Sequence, residues 1–155
     1  MNASLEALLR FVNLTTSGLL AGSLGFGEAA LVPGWHNELP DERRPDSVNA
    51  YFNAIGPVAL GTAVTLAVGS RGMHPLKRLL DATTALGLVG VLTTTVMVTV
   101  PINKELETQP AADYAGARSE LLARNWSRAH AVRTTLGIGA FVCAVASNLT
   151  PRQAK

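Results

Sequence analysis

The sequence predicts an all-α integral membrane protein: a four-helix bundle with an extra amphipathic helix in its third connection. Three observations carry that prediction. Apolar stretches run over Leu14–Val32, Tyr51–Val68, Ala82–Val100 and Ala131–Leu149, each about 18–19 residues, close to the ~20 that cross ~30 Å of hydrocarbon. Charged residues make up 15% of the chain, against the ~25% usual for soluble domains. Ala82–Val100 holds no charged residue, so a helix there has no side fit for water, whereas helices of soluble bundles keep a charged outer face. Mean hydropathy is a modest +0.24 because the connections 34–50 and 101–129 are polar. The chain, residues 1–155, reads as a single membrane domain.

In the first stretch Gly18, Gly22 and Gly25 recur at steps of four and three, beside Ser17 and Ala21. This is the pattern of a face that lets a neighbouring helix approach closely, within the bundle or between subunits of a homo-oligomer. Glu28 falls on the same side. The stretch is too long for the apolar part of a signal peptide, so residues 1–30 are expected to remain as a span. In the second, Asn49, Asn53, Gly56 and Pro57 share a side, and Pro57 is expected to kink the helix. In the third, Thr95, Thr99 and Asn103 are spaced by four, and Pro101 is expected to end or kink the helix. Residues 110–125 read as a surface amphipathic helix or as an extension of the fourth span. Pro110 suits a first helical turn, and Tyr114, Ala117, Leu121 and Leu122 give an apolar side. The fourth span opens with Trp126, His130, Arg133, Thr134 and Gly137 in one line.

Basic residues set the orientation. The connection between the second and third spans holds Arg71, Lys77 and Arg78 with no acid, and the C-terminal tail holds Arg152 and Lys155. By the positive-inside rule both termini and this short loop are cytoplasmic. The expected location is a multi-pass position in a bacterial cell membrane.

This topology gathers polar residues at one face. The first and third helices end there and the second and fourth begin there. Glu28, His36, Asn49, Asn53, Asn103, Trp126, His130 and Arg133 therefore lie near one outward-opening end, while His74 and Asp81 lie at the other. Ionisable groups inside lipid are expensive and mark function by default, and a polar pocket between bundle helices is a natural ligand site. A plainer reading is equally consistent: Arg133 neutralises Glu28 as a structural pair.

Several chemistries are excluded. The single cysteine, Cys143, rules out a dithiol enzyme. Gly25-Phe26-Gly27 lies in a span and is no phosphate loop. A net charge of +2 follows from membrane orientation and gives nucleic acid binding no support. A metal is not favoured. The alternative is one iron or copper ion held by Glu28, His36 and His130, a set of two histidines and one carboxylate.

Two segments carry a family resemblance. Val100-Pro101-Ile102-Asn103-Lys104-Glu105-Leu106 resembles the Pro-x-Asn element after the third helix of the DUF1772 family. Arg124-Asn125-Trp126-Ser127-Arg128-Ala129-His130-Ala131-Val132-Arg133-Thr134 is similar to its Trp-x-x-x-(Asn or His)-x-x-Arg element. The glycine-rich first helix ending near Val32-Pro33 also fits. The family includes small membrane proteins of unknown role and anthrone oxygenases of polyketide biosynthesis. The resemblance implies a monooxygenase, an oxidoreductase that acts on a lipophilic anthrone-like aromatic with dioxygen as co-substrate and no organic cofactor. On that footing His130 is the candidate base, and Glu28 orients or charge-balances it. Arg133 and Asn103 stabilise the developing oxyanion. Trp126 stacks on the rings, with Asn53 and Asn49 as further substrate contacts. The alternative is a non-catalytic membrane scaffold, or a carrier of a lipophilic metabolite or quinone.

Overall fold

A computed structural model describes residues 2–27, 29, 46–70, 72–108 and 116–151, with backbone alone at 46–50, 106 and 107. Four rods make the bundle. Helix α1 is Ala3–Phe26 and α2 is Asp46–Gly69; α3 is Pro75–Thr94 and runs through a π-helical turn, Thr95–Thr99, into α4, Val100–Thr108; α5 is Ala117–Leu149. Each rod is long and apolar enough to cross a membrane.

Helix α1 starts well before the apolar stretch. The Asn2 side chain caps it, accepting from the Ser4 N–H at 3.0 Å, which satisfies one of the orphan donors of a first turn. Glu6, Arg10 and Asn13 precede that stretch, and all three are buried against the bundle. Helix α3 starts at Pro75, whose missing N–H costs nothing at that position, with the His74 Nδ1 accepting from the Leu76 N–H at 3.2 Å.

Pro101 does not end its helix. The winding loosens one turn earlier, where the Val100 N–H reaches the Thr95 carbonyl in the wider π pattern, and the helix then continues to Thr108. A π turn absorbs the clash a proline ring makes with the carbonyl a turn earlier. Pro57 likewise sits inside α2. The amphipathic stretch forms no separate helix among the described residues: from Ala117 it is the opening of α5. Its Arg118 pairs with Glu105 of α4 at 2.7 Å on the exposed surface, and Leu122 and Trp126 pack with Ile102 beneath.

Each rod packs on two neighbours, in the cyclic order α1, α2, α3, α5. Cross-helix hydrogen bonds set the directions. The early part of α1 meets the start of α3 and the end of α5 through Arg10, Asp81 and Ser147. Its late part meets the first half of α5 through Leu24 and His130. Successive rods therefore alternate up and down. The two chain ends and the 70–74 turn lie at one end of the bundle, and His130 lies towards the other.

The polarity of the bundle is inverted relative to a water-soluble protein. Large apolar side chains cover the outside, with Met97 73% and Leu149 79% exposed. Glu6, Arg10, Lys77, Asp81, His130 and Arg133 are inside. That suits lipid as the surrounding medium and not water. Between the polar ends lies an apolar core of Leu20, Leu24, Ala59, Ala63, Ala85, Leu88, Val91 and Ala140. Close helix contact is made by small residues, chiefly where α3 meets α5: a Cβ on Gly87 would stand 3.0 Å from the Ala140 Cβ and 3.2 Å from the Leu136 carbonyl oxygen. The expected glycine face on α1 is only partly used. Gly18 abuts Phe141, but Gly22 and Gly25 face open space, because α1 turns the side bearing Ser17, Ala21 and Leu24 inward.

Candidate functional site

Helix α5 supplies Trp126, His130, Arg133 and Thr134 at steps of four, three and one, which puts them on one face. All four are buried. The Trp126 and His130 rings stack, with centroids 4.9 Å apart and planes within 5°. The Trp126 Nε1–H donates to the Asn103 Oδ1 of α4 at 3.0 Å. Arg133 donates from Nη1 to the Thr95 hydroxyl at 3.3 Å and from Nη2 to the His130 Nδ1 at 2.8 Å. The other imidazole nitrogen, Nε2, lies 3.2 Å from the Leu24 carbonyl oxygen of α1, which also accepts from the Thr134 hydroxyl at 3.3 Å.

These contacts assign the tautomer of His130. A carbonyl oxygen only accepts and a guanidinium only donates. Nε2 therefore carries the proton and Nδ1 offers its lone pair to Arg133, so the imidazole is neutral. Gly27 makes the approach of α1 feasible: a Cβ there would stand 2.9 Å from the His130 Nε2, closer than a side chain tolerates.

The structure thus brings together His130, Arg133, Trp126 and Asn103 among the predicted residues. Asn53 is exposed on α2 and joins none of them. Glu28 and His36, and the side chain of Asn49, lie outside the described residues, as does the Glu28–Arg133 pairing. Among the described residues no three His, Cys, Asp or Glu side chains gather. Of the alternative iron or copper set, only His130 is among the described residues, with its Nδ1 2.8 Å from the Arg133 guanidinium. Thr95, Thr134 and the Leu24 carbonyl were not expected at the site. Thr95 and Thr134 each had a signal, the first in its four-residue spacing to Thr99 and Asn103, the second in its line with Trp126, His130 and Arg133.

A second polar layer fills the opposite end. Arg10 donates from Nε to Glu6 at 2.8 Å and forks onto Asp81 at 3.2 and 3.1 Å. It also donates to the Ser147 hydroxyl at 3.1 Å, and that hydroxyl donates to Asp81. The Lys77 Nζ reaches the Ser147 carbonyl at 2.6 Å. An open groove of about 570 Å³ adjoins the layer, lined by Arg10, Phe11, Leu14, Lys77 and Leu149 among others. Its sequence signal was the four-residue spacing of Glu6 and Arg10, a helix ion pair.

Fold and site together define a multi-pass membrane bundle with an imidazole and a guanidinium held inside the half away from the start of α1 and the end of α5. The family model for anthrone oxygenase matches residues 47–143, and the chain belongs to that family. The match spans Thr95, Asn103, Trp126, His130 and Arg133. No curated protein matches the chain, and no solved structure matches it.

Proposed function

We propose that this protein is a membrane oxygenase that converts the methylene of a lipophilic, anthrone-like aromatic into a carbonyl, with dioxygen as co-substrate. The observation that carries the reading is the Arg133–His130 contact, a cation donating to the one lone pair of a buried neutral imidazole, in a chain of the anthrone oxygenase family. The stoichiometry closes without a further reductant. Loss of a proton from the methylene gives an enolate. Its carbon delivers electrons to dioxygen and bonds it; the peroxide anion takes back the abstracted proton, and the hydroperoxide then loses water, with the second C–H proton, to leave a carbonyl. One oxygen atom stays on carbon, the other departs in water, and all four electrons come from the former methylene.

Arg133 and His130 suit the first step jointly. An enolate oxygen is a stronger acceptor for a guanidinium than a neutral imidazole is. When the Arg133 Nη2 shifts to that oxygen, the His130 Nδ1 lone pair is released to take the methylene proton. Substrate binding itself uncovers the base. Asn103, with its oxygen accepting from Trp126, keeps the indole under the imidazole, so oxyanion stabilisation rests on Arg133. The lipid around the bundle supplies both a greasy substrate and dioxygen. The polar balance of the loops favours both termini on the cytoplasmic side.

Purified protein given an anthrone in air should consume one dioxygen per quinone formed. With isotopically labelled dioxygen, one label should appear in the carbonyl and one in water. His130→Ala should lower turnover about 10²–10⁴-fold, the usual share of a general base; unchanged turnover would remove His130 from that role. The competing reading is a carrier or scaffold, which the mutual bonding of Trp126, His130 and Arg133 also supports. A carrier would bind the anthrone with no dioxygen uptake above the uncatalysed rate.

A further inference from the structure

Thr99 occupies a singular place in the bundle. It is 3% exposed, and among the described residues its hydroxyl has no hydrogen-bond partner. Other buried hydroxyls all close onto something: Thr84 onto the Leu80 carbonyl at 2.9 Å, Ser17 onto that of Asn13, and Thr134 onto that of Leu24. Half-buried Thr95 reaches the Val91 carbonyl at 2.7 Å. The equivalent acceptor for Thr99 is the Thr95 carbonyl. The π turn directs that carbonyl to the Val100 N–H, and no back-bond from Thr99 forms. A buried hydroxyl that has lost water and gained nothing is destabilising and calls for an explanation. Turns of this kind are frequent at functional sites.

Its position supplies the explanation. Thr95 meets Arg133, and Asn103 meets Trp126. The two chain segments run antiparallel, so Thr99, midway between Thr95 and Asn103, stands level with His130. We propose that Thr99 is a binding residue: its hydroxyl donates to a ring-borne oxygen of the bound planar aromatic, so that the site selects hydroxylated ring systems over unsubstituted ones. This rests on the oxygenase reading for the location of the ligand, with Arg133 on the ketone oxygen and Thr99 on a second oxygen of the same molecule.

The test compares two ligands, a trihydroxyanthrone and unsubstituted anthrone, bound without air to the full chain in lipid nanodiscs. Dissociation constants are measured for the native protein, Thr99→Val and Thr99→Ser. The native protein should favour the hydroxylated ligand. Thr99→Val should cut that preference about tenfold, the worth of one good hydrogen bond, and Thr99→Ser should restore it. Taking the ratio of the two ligands cancels their different partitioning into lipid. Ligand-free Thr99→Val should melt no lower than the native protein, because it removes a hydroxyl that bonds nothing. An unchanged ligand ratio, or a lowered melting temperature, overturns the proposal; the latter would mean the hydroxyl has a structural partner. Turnover in air separates the two readings. If neither ligand is oxidised but the ratio shifts as stated, the binding role stands and the oxygenase falls. If both are oxidised and the ratio does not shift, the reverse holds. If the native protein binds neither ligand, both fall.

Discussion

The two buried polar layers share a bundle and differ in the partners described for their arginines. At the end carrying the chain termini, Arg10 is fixed by two carboxylates and a hydroxyl, in fork geometry with Asp81. Its donors meet carboxylates of α1 and α3 and a hydroxyl of α5, and any movement breaks several charge-assisted bonds at once. At the other end the partners described for Arg133 are a hydroxyl and an imidazole, beside a π turn and a Thr99 hydroxyl with no partner among the described residues. Hydrogen bonds to neutral groups are ones an oxyanion can outcompete, so the proposed chemistry is assigned to this layer and a structural role to the other.

The largest effect expected from breaking this contrast is on stability. Asp81→Leu leaves Arg10 buried with its principal partner gone and should cost about 3–5 kcal/mol, the usual penalty for breaking a buried pair. Thermal unfolding in detergent reads it. Turnover per folded molecule should stay near that of the native protein, because the layer lies at the far end from His130. A fall in turnover with intact folding would mean that the ionic layer takes part in function.

Arg133→Leu should do the opposite. Removing the donor that stabilises a developing oxyanion lowers kcat about 10²–10³-fold, some 2.7–4 kcal/mol, measured as quinone formed per folded protein. Arg133→Lys keeps the charge but loses the fork that bridges Thr95 and His130, and should recover only part of the rate. If Lys restores it fully, charge alone suffices and the release of His130 is not the mechanism.

Much of this was legible from residue order. Helices crossing lipid must be apolar for their length, so four rods follow from hydropathy alone. Trp126, His130 and Arg133 could be grouped because they sit four and three residues apart on one helix. Other features depend on facts that no local pattern contains. Glu6, Arg10 and Asn13 precede the first apolar stretch, and a charged side chain turned into a bundle is indistinguishable in sequence from one turned to water. The partner that holds Arg10 inward, Asp81, is 71 residues away. Pro101 reads as a stop or a kink, and the helix runs past it after a π turn upstream. Of the small residues on α1, Gly18 abuts Phe141 within the bundle, while Gly22 and Gly25 meet no described residue of it, because the rotation of the helix is set by which side is buried and not by the glycine spacing.

Both layers rely on the same spacing between α3 and α5, and Gly87 sets it. Gly87→Ala places a methyl 3.0–3.2 Å from Ala140 and the Leu136 carbonyl, where backbone and not a flexible tip must yield. Overpacking of this kind typically costs about 1–3 kcal/mol. Melting temperature and turnover should fall together, unlike in Asp81→Leu. A loss of stability alone would show that the His130 layer tolerates a wider bundle.

The smallest effect separates the support of the imidazole from its chemistry. Trp126→Phe keeps an aromatic face against His130 but loses the N–H that donates to Asn103. The loss of one neutral hydrogen bond should cost about 0.5–1.5 kcal/mol in stability. If Trp126 serves only to hold His130, turnover should fall several-fold with substrate affinity nearly unchanged, because the base is misaimed and the ligand contacts are kept. Trp126→Leu removes the face as well and should lower turnover further. Should Trp126→Phe instead weaken anthrone binding while kcat holds, the indole touches the ligand directly, and the stack on His130 is the resting arrangement that substrate displaces.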